Sequence, residues 1–333
     1  MIITRTPFRC SLFGGGTDYP AWFREHGGAV LGLAIDKYCW VSVRHLPPFF
    51  PHRTRVVYSK VETVTDNREI EHPVVRALLA DTTDGLEIHH DADLPAKSGL
   101  GSSSAFVVGL AHALARLRKL AVSPHLLARR AIDIEQKLLG ESVGCQDQVW
   151  AAHGGFGKIE FMSHGTDYQF RVSDMLRVRD SVNRACCERL ASSLLLVFTG
   201  FSRFSSGFAA DQIANLKQRT TQLRRMRELV DEALAVIDTS RQPLVGEMLH
   251  ESWMLKRELA DTVSTPAIDA LYMRGLAAGA TGGKLLGAGG GGFMLFYVEP
   301  ELRAAVKRAM APRICVDFGI DRDGSKVVVN GVA

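Results

Sequence analysis

Apolar residues recur at helical spacing after Ser103: Val107, Leu110, Leu114 and Leu117 fall three and four apart, which is one face of a helix. A second helix is expected from Ser123-Pro124, a capping serine followed by proline at the first helical position, to about Leu139, just before Gly140. Ahead of these, residues 29–43 are rich in β-formers and predict a strand with a turn at Asp36-Lys37. Residues 55–58 and 86–90 predict short strands, and the proline-rich residues 45–52 a loop. The later pattern is an apolar strand at 194–198, a polar turn at 200–207, and helices over 209–237, 245–263 and 266–279. A glycine-rich loop at 282–292, a strand at 293–298, a helix at 301–310 and a strand at 315–318 complete it. This order predicts an α+β architecture, with sheet covered by helices.

A chain of 333 residues suits two domains. Periodicity fades near residues 180–192, so the expected division is 1–185, carrying the nucleotide, and 186–333. The net charge of +4 is small and scattered, which argues against a nucleic-acid partner. The basic cluster Arg224-Arg225-Met226-Arg227 reads as the solvated face of a helix. No apolar run reaches membrane-spanning length and residues 1–9 lack a secretory core. The six cysteines include the adjacent pair Cys186-Cys187, poorly placed for a bridge. The expectation is a reduced, cytoplasmic protein with no membrane partner. Oligomeric state is left open.

Three glycine-containing stretches carry the candidate chemistry: residues 7–19 (PFRCSLFGGGTDY), 95–106 (PAKSGLGSSSAF) and 284–293 (KLLGAGGGGF). In the second, Lys97 and Ser98 precede Gly99-Leu100-Gly101, which runs into Ser102, Ser103, Ser104 and the first helix. Glycine lets backbone approach a ligand, and a helix N-terminus offers N–H groups to phosphate. Serine hydroxyls there can hold Mg²⁺. The stretch is not a Walker A loop, because no Gly-Lys-Ser/Thr closes it, and it lacks the dinucleotide spacing. Glu135, near a helix end, and Asp147, after a glycine-containing turn, add two carboxylates. Phosphoryl transfer needs carboxylates in two roles, one for the metal and one for the acceptor hydroxyl, although an isolated Glu and Asp are usually ordinary surface groups. His89-His90-Asp91 is not a metal cluster, since consecutive strand residues face opposite ways. The four tryptophans, Trp22, Trp40, Trp150 and Trp253, read as packing residues.

With these motifs in this order, the chain resembles the GHMP kinase superfamily, named for galactokinase, homoserine kinase, mevalonate kinase and phosphomevalonate kinase. The resemblance implies a two-domain α+β fold. Its N-terminal domain is like the second domain of ribosomal protein S5, and its C-terminal domain is ferredoxin-like. It also implies roles. Residues 97–104 hold the nucleotide, Ser102 and Glu135 hold Mg²⁺, Asp147 is the catalytic aspartate, and Arg9 contacts that aspartate or the acceptor oxygen. Thr17-Asp18-Tyr19 matches a sugar-binding motif in which Asp18 binds hydroxyls, and Gly287–Gly292, with Gly289 and Gly290, shapes the site. Part of the adenine pocket is expected in residues 58–72.

Galactose-phosphorylating members carry Glu-His where this chain has Gly15 and Gly16, which implies a larger pocket. GGGTDY, with AIDKY at 34–38 and TGFSR at 199–203, is most similar to the bacterial heptose kinases of the superfamily. That implies ATP as donor, a phosphorylated heptose as acceptor at its C1 hydroxyl, and Mg²⁺. L-Fucose is the alternative sugar. Arg203, among Ser202, Ser205 and Ser206, and Lys284 are the candidates for gripping a distal phosphate. A non-catalytic sensor is disfavoured because Ser102, Glu135, Asp147 and Arg9 are all present, and a mevalonate-type acceptor by Thr17-Asp18-Tyr19.

Overall fold

The first motif lies on a strand that the sequence pattern hides. A computed structural model describes residues 1–165, 167–175, 181–200 and 213–331. In it β1 (Ile2–Phe13) alternates buried and half-buried positions at its start, then is buried throughout from Thr6. The unbroken burial explains why no period-2 signal marks this half of the strand. β1 pairs antiparallel with β2 (Gly28–His45), whose 18 residues are long enough to serve two partners along the other edge. β6 (Phe156–His164) pairs with residues 28–33 of β2, and β5 (Leu86–Ala92) with residues 39–45. The expected turn at Asp36-Lys37 is instead a bulge: Pro7 faces Tyr38 but Phe8 faces Ile35. Proline has no N–H to give a ladder, and bulges are where strands accommodate it.

β3 (Thr54–Val57), β4 (Val61–Val64) and β7 (Asp167–Asp174) complete this face, and β12 (Lys326–Asn330) returns from the far end of the chain to pair with β1. The expected division lies at 185/186. It falls inside α6 (Ser181–Ser192), and the last strand of the second segment belongs to the first sheet. Helix α3 (Ser102–Leu117) lies on β1 and β2. It approaches closely because Gly109 faces the sheet: Thr4 Oγ1 donates to the Gly109 carbonyl at 3.0 Å. Helix α4 (Pro124–Asp133) starts as expected, with Ser123 accepting from Leu126 N, but it ends early in a π-turn, Ile134–Leu138. α5 (Gln146–His153) packs on β1 and α3 and buries Trp150 completely.

The second sheet is antiparallel, in the order β11 (Cys315–Val316), β8 (Leu194–Phe198), β10 (Phe293–Tyr297), β9 (Gly282–Leu285). Both of its faces are buried. Leu195, Val197, Met294 and Phe296 pack with Trp253, Tyr272 and Val306, whereas Leu194, Leu196, Phe293 and Leu295 join the larger core. The covering helices are α7 (Thr220–Ile237), α8 (Leu244–Arg257), α9 (Pro266–Ala277) and α10 (Arg303–Met310). Residues 282–285, expected as loop, are strand β9; a Cβ at Gly282 would meet the Gly246 carbonyl at 1.8 Å, so glycine lets the strand lie against α8. Arg225, in the basic cluster, forms ion pairs with Glu228, Glu232 and Glu251 while Met226 is buried. No helix among the described residues is long and apolar enough to cross a membrane. The expected turn at 200–207 and the start of the helix expected at 209 fall outside the described residues, apart from Gly200.

A Cβ at Gly109 would lie 2.8 Å from Thr6 Oγ1 and 3.4 Å from Val41 Cγ2. Gly109→Val is therefore expected to destabilise the protein by about 1–3 kcal/mol through overpacking between α3 and β1. Urea unfolding should show a lower midpoint with an unchanged slope.

Candidate active site

Arg9 is the meeting point of the motifs. Its Nε and Nη2 donate to the two oxygens of Asp147, each at 2.7 Å, and its Nη1 donates to the Gly99 carbonyl. β1 supplies Arg9, the first turn of α5 supplies Asp147, and the loop before α3 supplies Gly99. Arg9 is 5% exposed, whereas a quarter of the Asp147 side chain remains accessible. Such a two-pronged pair fixes a carboxylate in position and plane. The backbone joins in, with Arg9 N donating to the Leu100 carbonyl at 3.0 Å.

The loop from Lys97 to Gly101 ends in a helix start with no side-chain cap. Gly101 takes φ +74°, a left-handed conformation that side chains rarely adopt, and a Cβ there would press within 3.3 Å of both Arg9 and Asp147. Lys97 and Ser103 are exposed, Ser102 half-buried and Ser98 buried. Ser102 Oγ accepts from Lys97 N at 3.3 Å. Ser104 turns inward and donates to both oxygens of Glu135, at 3.0 and 2.9 Å. Two residues further along α3, Phe106 contacts His72 and His90, with ring centroids 5.0 and 4.6 Å apart, and His72 contacts Tyr58 at 4.9 Å.

Glu135 sits on the π-turn after α4, wholly buried. Gln148 also donates to it, yet burial pushes its carboxyl up to about 8. Among the described residues no cation pairs with it. A buried acidic oxygen lacking positive charge, close in the fold to serine hydroxyls, is the donor chemistry a divalent cation accepts. Glu135, with the Ser104 hydroxyl on it, would suit Mg²⁺ in donor chemistry.

Asp18 ties the first motif to the start of the helix that carries Asp147. Its carboxylate accepts from Gly16 N at 3.1 Å and Gln146 N at 3.2 Å, and its carbonyl accepts from Cys145 N. Burial, then the nearby Asp147, push its carboxyl above the ordinary range. Thr17 is inward: its hydroxyl donates to the Gly14 and Ala29 carbonyls and accepts from Ala29 N, so it fastens the loop and has no face toward a ligand. The extra room expected at Gly15 and Gly16 exists at Gly15 only. A Cβ at Gly16 would meet Leu223 at 3.1 Å and Leu259 at 3.8 Å, so apolar side chains from α7 and the end of α8 fill that space.

The third motif lies against the second by backbone contact. A Cβ on Gly99 would meet the Leu286 carbonyl at 2.4 Å, and Phe293 N donates to the Ser98 carbonyl at 3.1 Å. Gly290 N donates to Val263 O, and Gly289 abuts Val263. These two glycines shape the wall by packing. Lys284, expected to reach a distal phosphate, is instead 3% exposed and gives its ammonium to the Leu12 carbonyl at 2.8 Å. Arg203 lies outside the described residues.

Family profiles match this layout on both sides: the GHMP kinases N terminal domain over residues 69–155 and the GHMP kinases C terminal domain over 226–316, together more than half of the chain. The chain is a GHMP kinase. As such it is an ATP-dependent phosphotransferase. This GHMP kinase is 27% identical to the D-glycero-alpha-D-manno-heptose 7-phosphate kinase of Campylobacter jejuni over 98% of both chains. It is 26% identical to the bifunctional fucokinase/GDP-fucose pyrophosphorylase of Arabidopsis thaliana over 90% of this chain and 30% of that one. Its fold matches the crystal structure of a D-glycero-D-manno-heptose 1-phosphate kinase from Bacteroides thetaiotaomicron with a TM-score of 0.78, at 24% identity and 98% coverage of each.

Two side chains that no motif marks also bond to these segments. Lys256 of α8 is 7% exposed and donates to the carbonyls of Leu285, at 2.8 Å, and Gly287. On a helix rich in charge it carried no distinguishing signal. Gln148 was one residue from Asp147, on the neighbouring helical position, and adjacency was its only signal.

Burial, with Arg9 nearby, pushes the Lys284 ammonium down to about 7, opposed by Asp18. Between that value and the ordinary 10.5 the unfolded chain binds more protons, so stability rises with pH across the window. The stability of the protein relative to Lys284→Met is expected to increase from pH 7 to about pH 9, measured by urea unfolding at each pH. A pH-independent difference would contradict this.

Proposed function

We propose that this kinase transfers the γ-phosphoryl group of ATP to the C1 hydroxyl of D-glycero-D-manno-heptose 7-phosphate. The products are the 1,7-bisphosphate and ADP, and the bisphosphate feeds nucleotide-activated heptose for surface polysaccharide. The observation that carries phosphoryl transfer is the Arg9–Asp147 pair, packed against Gly101 at the start of α3. Support for the sugar is the full-length similarity to the Campylobacter jejuni enzyme. The name of the Bacteroides structure puts the phosphate on the other carbon, so the two relatives agree on a heptose phosphate and differ on position.

In this reading the acceptor lies over Asp18 and Gly15, with its hydroxyl at Asp147. Asp147 takes the proton as the oxygen bonds to the γ-phosphorus, and the bond to the β,γ-bridging oxygen breaks to release ADP. Arg9 holds the carboxylate in the one orientation that reaches both the acceptor and the phosphate loop. The α3 N-terminus takes the phosphates, and the Tyr58–His72–Phe106 group borders the base. Mg²⁺, when bound by Glu135 and Ser102, neutralises charge on the phosphate oxygens. Fucokinases from Arabidopsis thaliana and Bacteroides fragilis are similar over 90% and 91% of this chain, which keeps L-fucose as the second reading.

An ADP-release assay across a sugar panel tests the substrate. Heptose 7-phosphate is expected to be turned over and the unphosphorylated heptose to be poor; efficient use of L-fucose with no use of heptose 7-phosphate would overturn the assignment. For the base, Asp147→Asn is expected to lower kcat by about 10²–10⁴ with little change in ATP affinity. Wild-type turnover in a folded Asp147→Asn protein would remove Asp147 from that role. For the metal, Glu135→Gln should raise the Mg²⁺ concentration giving half-maximal rate by about 10–100-fold and lower kcat. An unchanged Mg²⁺ titration would move the metal elsewhere.

A further inference from the structure

Two polar side chains beside the acceptor site are buried and lack partners. Ser11 is 6% exposed and Gln146 is 8% exposed. Neither Ser11 Oγ nor Gln146 Oε1 has a hydrogen-bond partner among the described residues. Buried polar atoms in folded proteins are nearly always bonded to protein, ordered water or ligand. The two side chains border one spot, beside Gly15. A Cβ placed on Gly15 would lie 3.6 Å from Ser11 Oγ and 3.8 Å from Gln146 Nε2, at ordinary contact distance, and Gly15 itself is half-buried. Glycine at position 15 places no side chain between them.

Local structure explains the convergence. Ser11 follows Arg9 by two residues on β1, and strand residues two apart share a face. Gln146 directly precedes Asp147 at the start of α5, and its backbone N–H is held by Asp18. The strand that delivers the arginine therefore also delivers Ser11, and the helix turn that delivers the base also delivers Gln146. The unpartnered pair flanks the group that receives the acceptor's proton.

We propose that Ser11 and Gln146 are specificity residues that together bind the acceptor hydroxyl next to the one being phosphorylated. The hydroxyl donates to Gln146 Oε1 and accepts from Ser11 Oγ–H, which satisfies both atoms at once. This inference rests on the reading of the chain as a sugar kinase, whichever sugar phosphate or sugar it uses.

The test uses the sugar that the wild-type enzyme turns over and its deoxy analogue lacking the hydroxyl adjacent to the reacting carbon. Wild type is expected to prefer the parent by about 10–100-fold in kcat/KM, because a site built to bond a hydroxyl rejects an analogue without it. In Ser11→Ala and Gln146→Leu the preference should shrink toward unity, with the loss falling on kcat/KM for the parent sugar and the KM for ATP changing less than about twofold. Ser11→Thr keeps the hydroxyl and should retain the preference, which separates hydroxyl recognition from a packing defect. Folded variants that keep the full preference would overturn this inference and leave the kinase assignment standing. A wild-type enzyme that phosphorylates no sugar would overturn both.

Discussion

The active site is built around one buried guanidinium. Arg9 bonds both oxygens of Asp147 and the Gly99 carbonyl, so a single rigid fork sets the distance between that carboxylate and the glycine loop. A lysine could make one of these bonds but not all three in a fixed plane. Removing one partner of such a pair leaves the other charge buried and alone, which costs about 3–5 kcal/mol in comparable systems. Position and stability are therefore coupled here: β1, α5 and the loop before α3 hold the fork, and the fork holds them.

Around that pair the two sheets approach through backbone instead of side chains. Leu286 O and Gly287 sit where a Cβ on Gly99 would have to go, and Phe293 N reaches the Ser98 carbonyl. Two buried ammonium groups reinforce the approach, Lys284 on the Leu12 carbonyl and Lys256 on those of Leu285 and Gly287. Burial holds both well below the usual lysine range; for Lys256 the neighbouring Lys284 and Arg9 add to it. Carbonyl oxygens partly solvate these cations, and Asp147 and Asp18 are the acidic groups at hand. Arg9 is therefore the firm positive charge beside Asp147, since burial pushes Lys256 and Lys284 toward their neutral forms.

The acceptor pocket is narrower than glycine content alone suggests. Leu223 and Leu259 occupy the space beside Gly16, and Thr17 faces inward to anchor the loop. The polar groups left on this side are Asp18 and, beside Gly15, Ser11 and Gln146.

The sequence by itself determined the chemistry-bearing positions whose identity is fixed by what backbone and charge can do. A glycine-rich turn running into three serines marked the loop before α3, and the resemblance singled out Arg9, Asp18, Glu135 and Asp147, of which the fold places Arg9 and Asp147 against that loop. The strand at 194–198, the helix start at Ser123 and the α+β alternation were legible because local periodicity and capping set them. Only the tertiary structure decided the rest. β1 and β12 were missed, the first because burial on both faces erased its alternation, the second because its partner lies more than 300 residues away. The π-turn at 134–138 and the bulge at Asp36-Lys37 follow from neighbours that the local pattern cannot display. Lys284 and Lys256 look in sequence like any solvated lysine. Their place inside the protein depends on which carbonyls the folded chain brings within reach, and that is a property of contacts between distant segments.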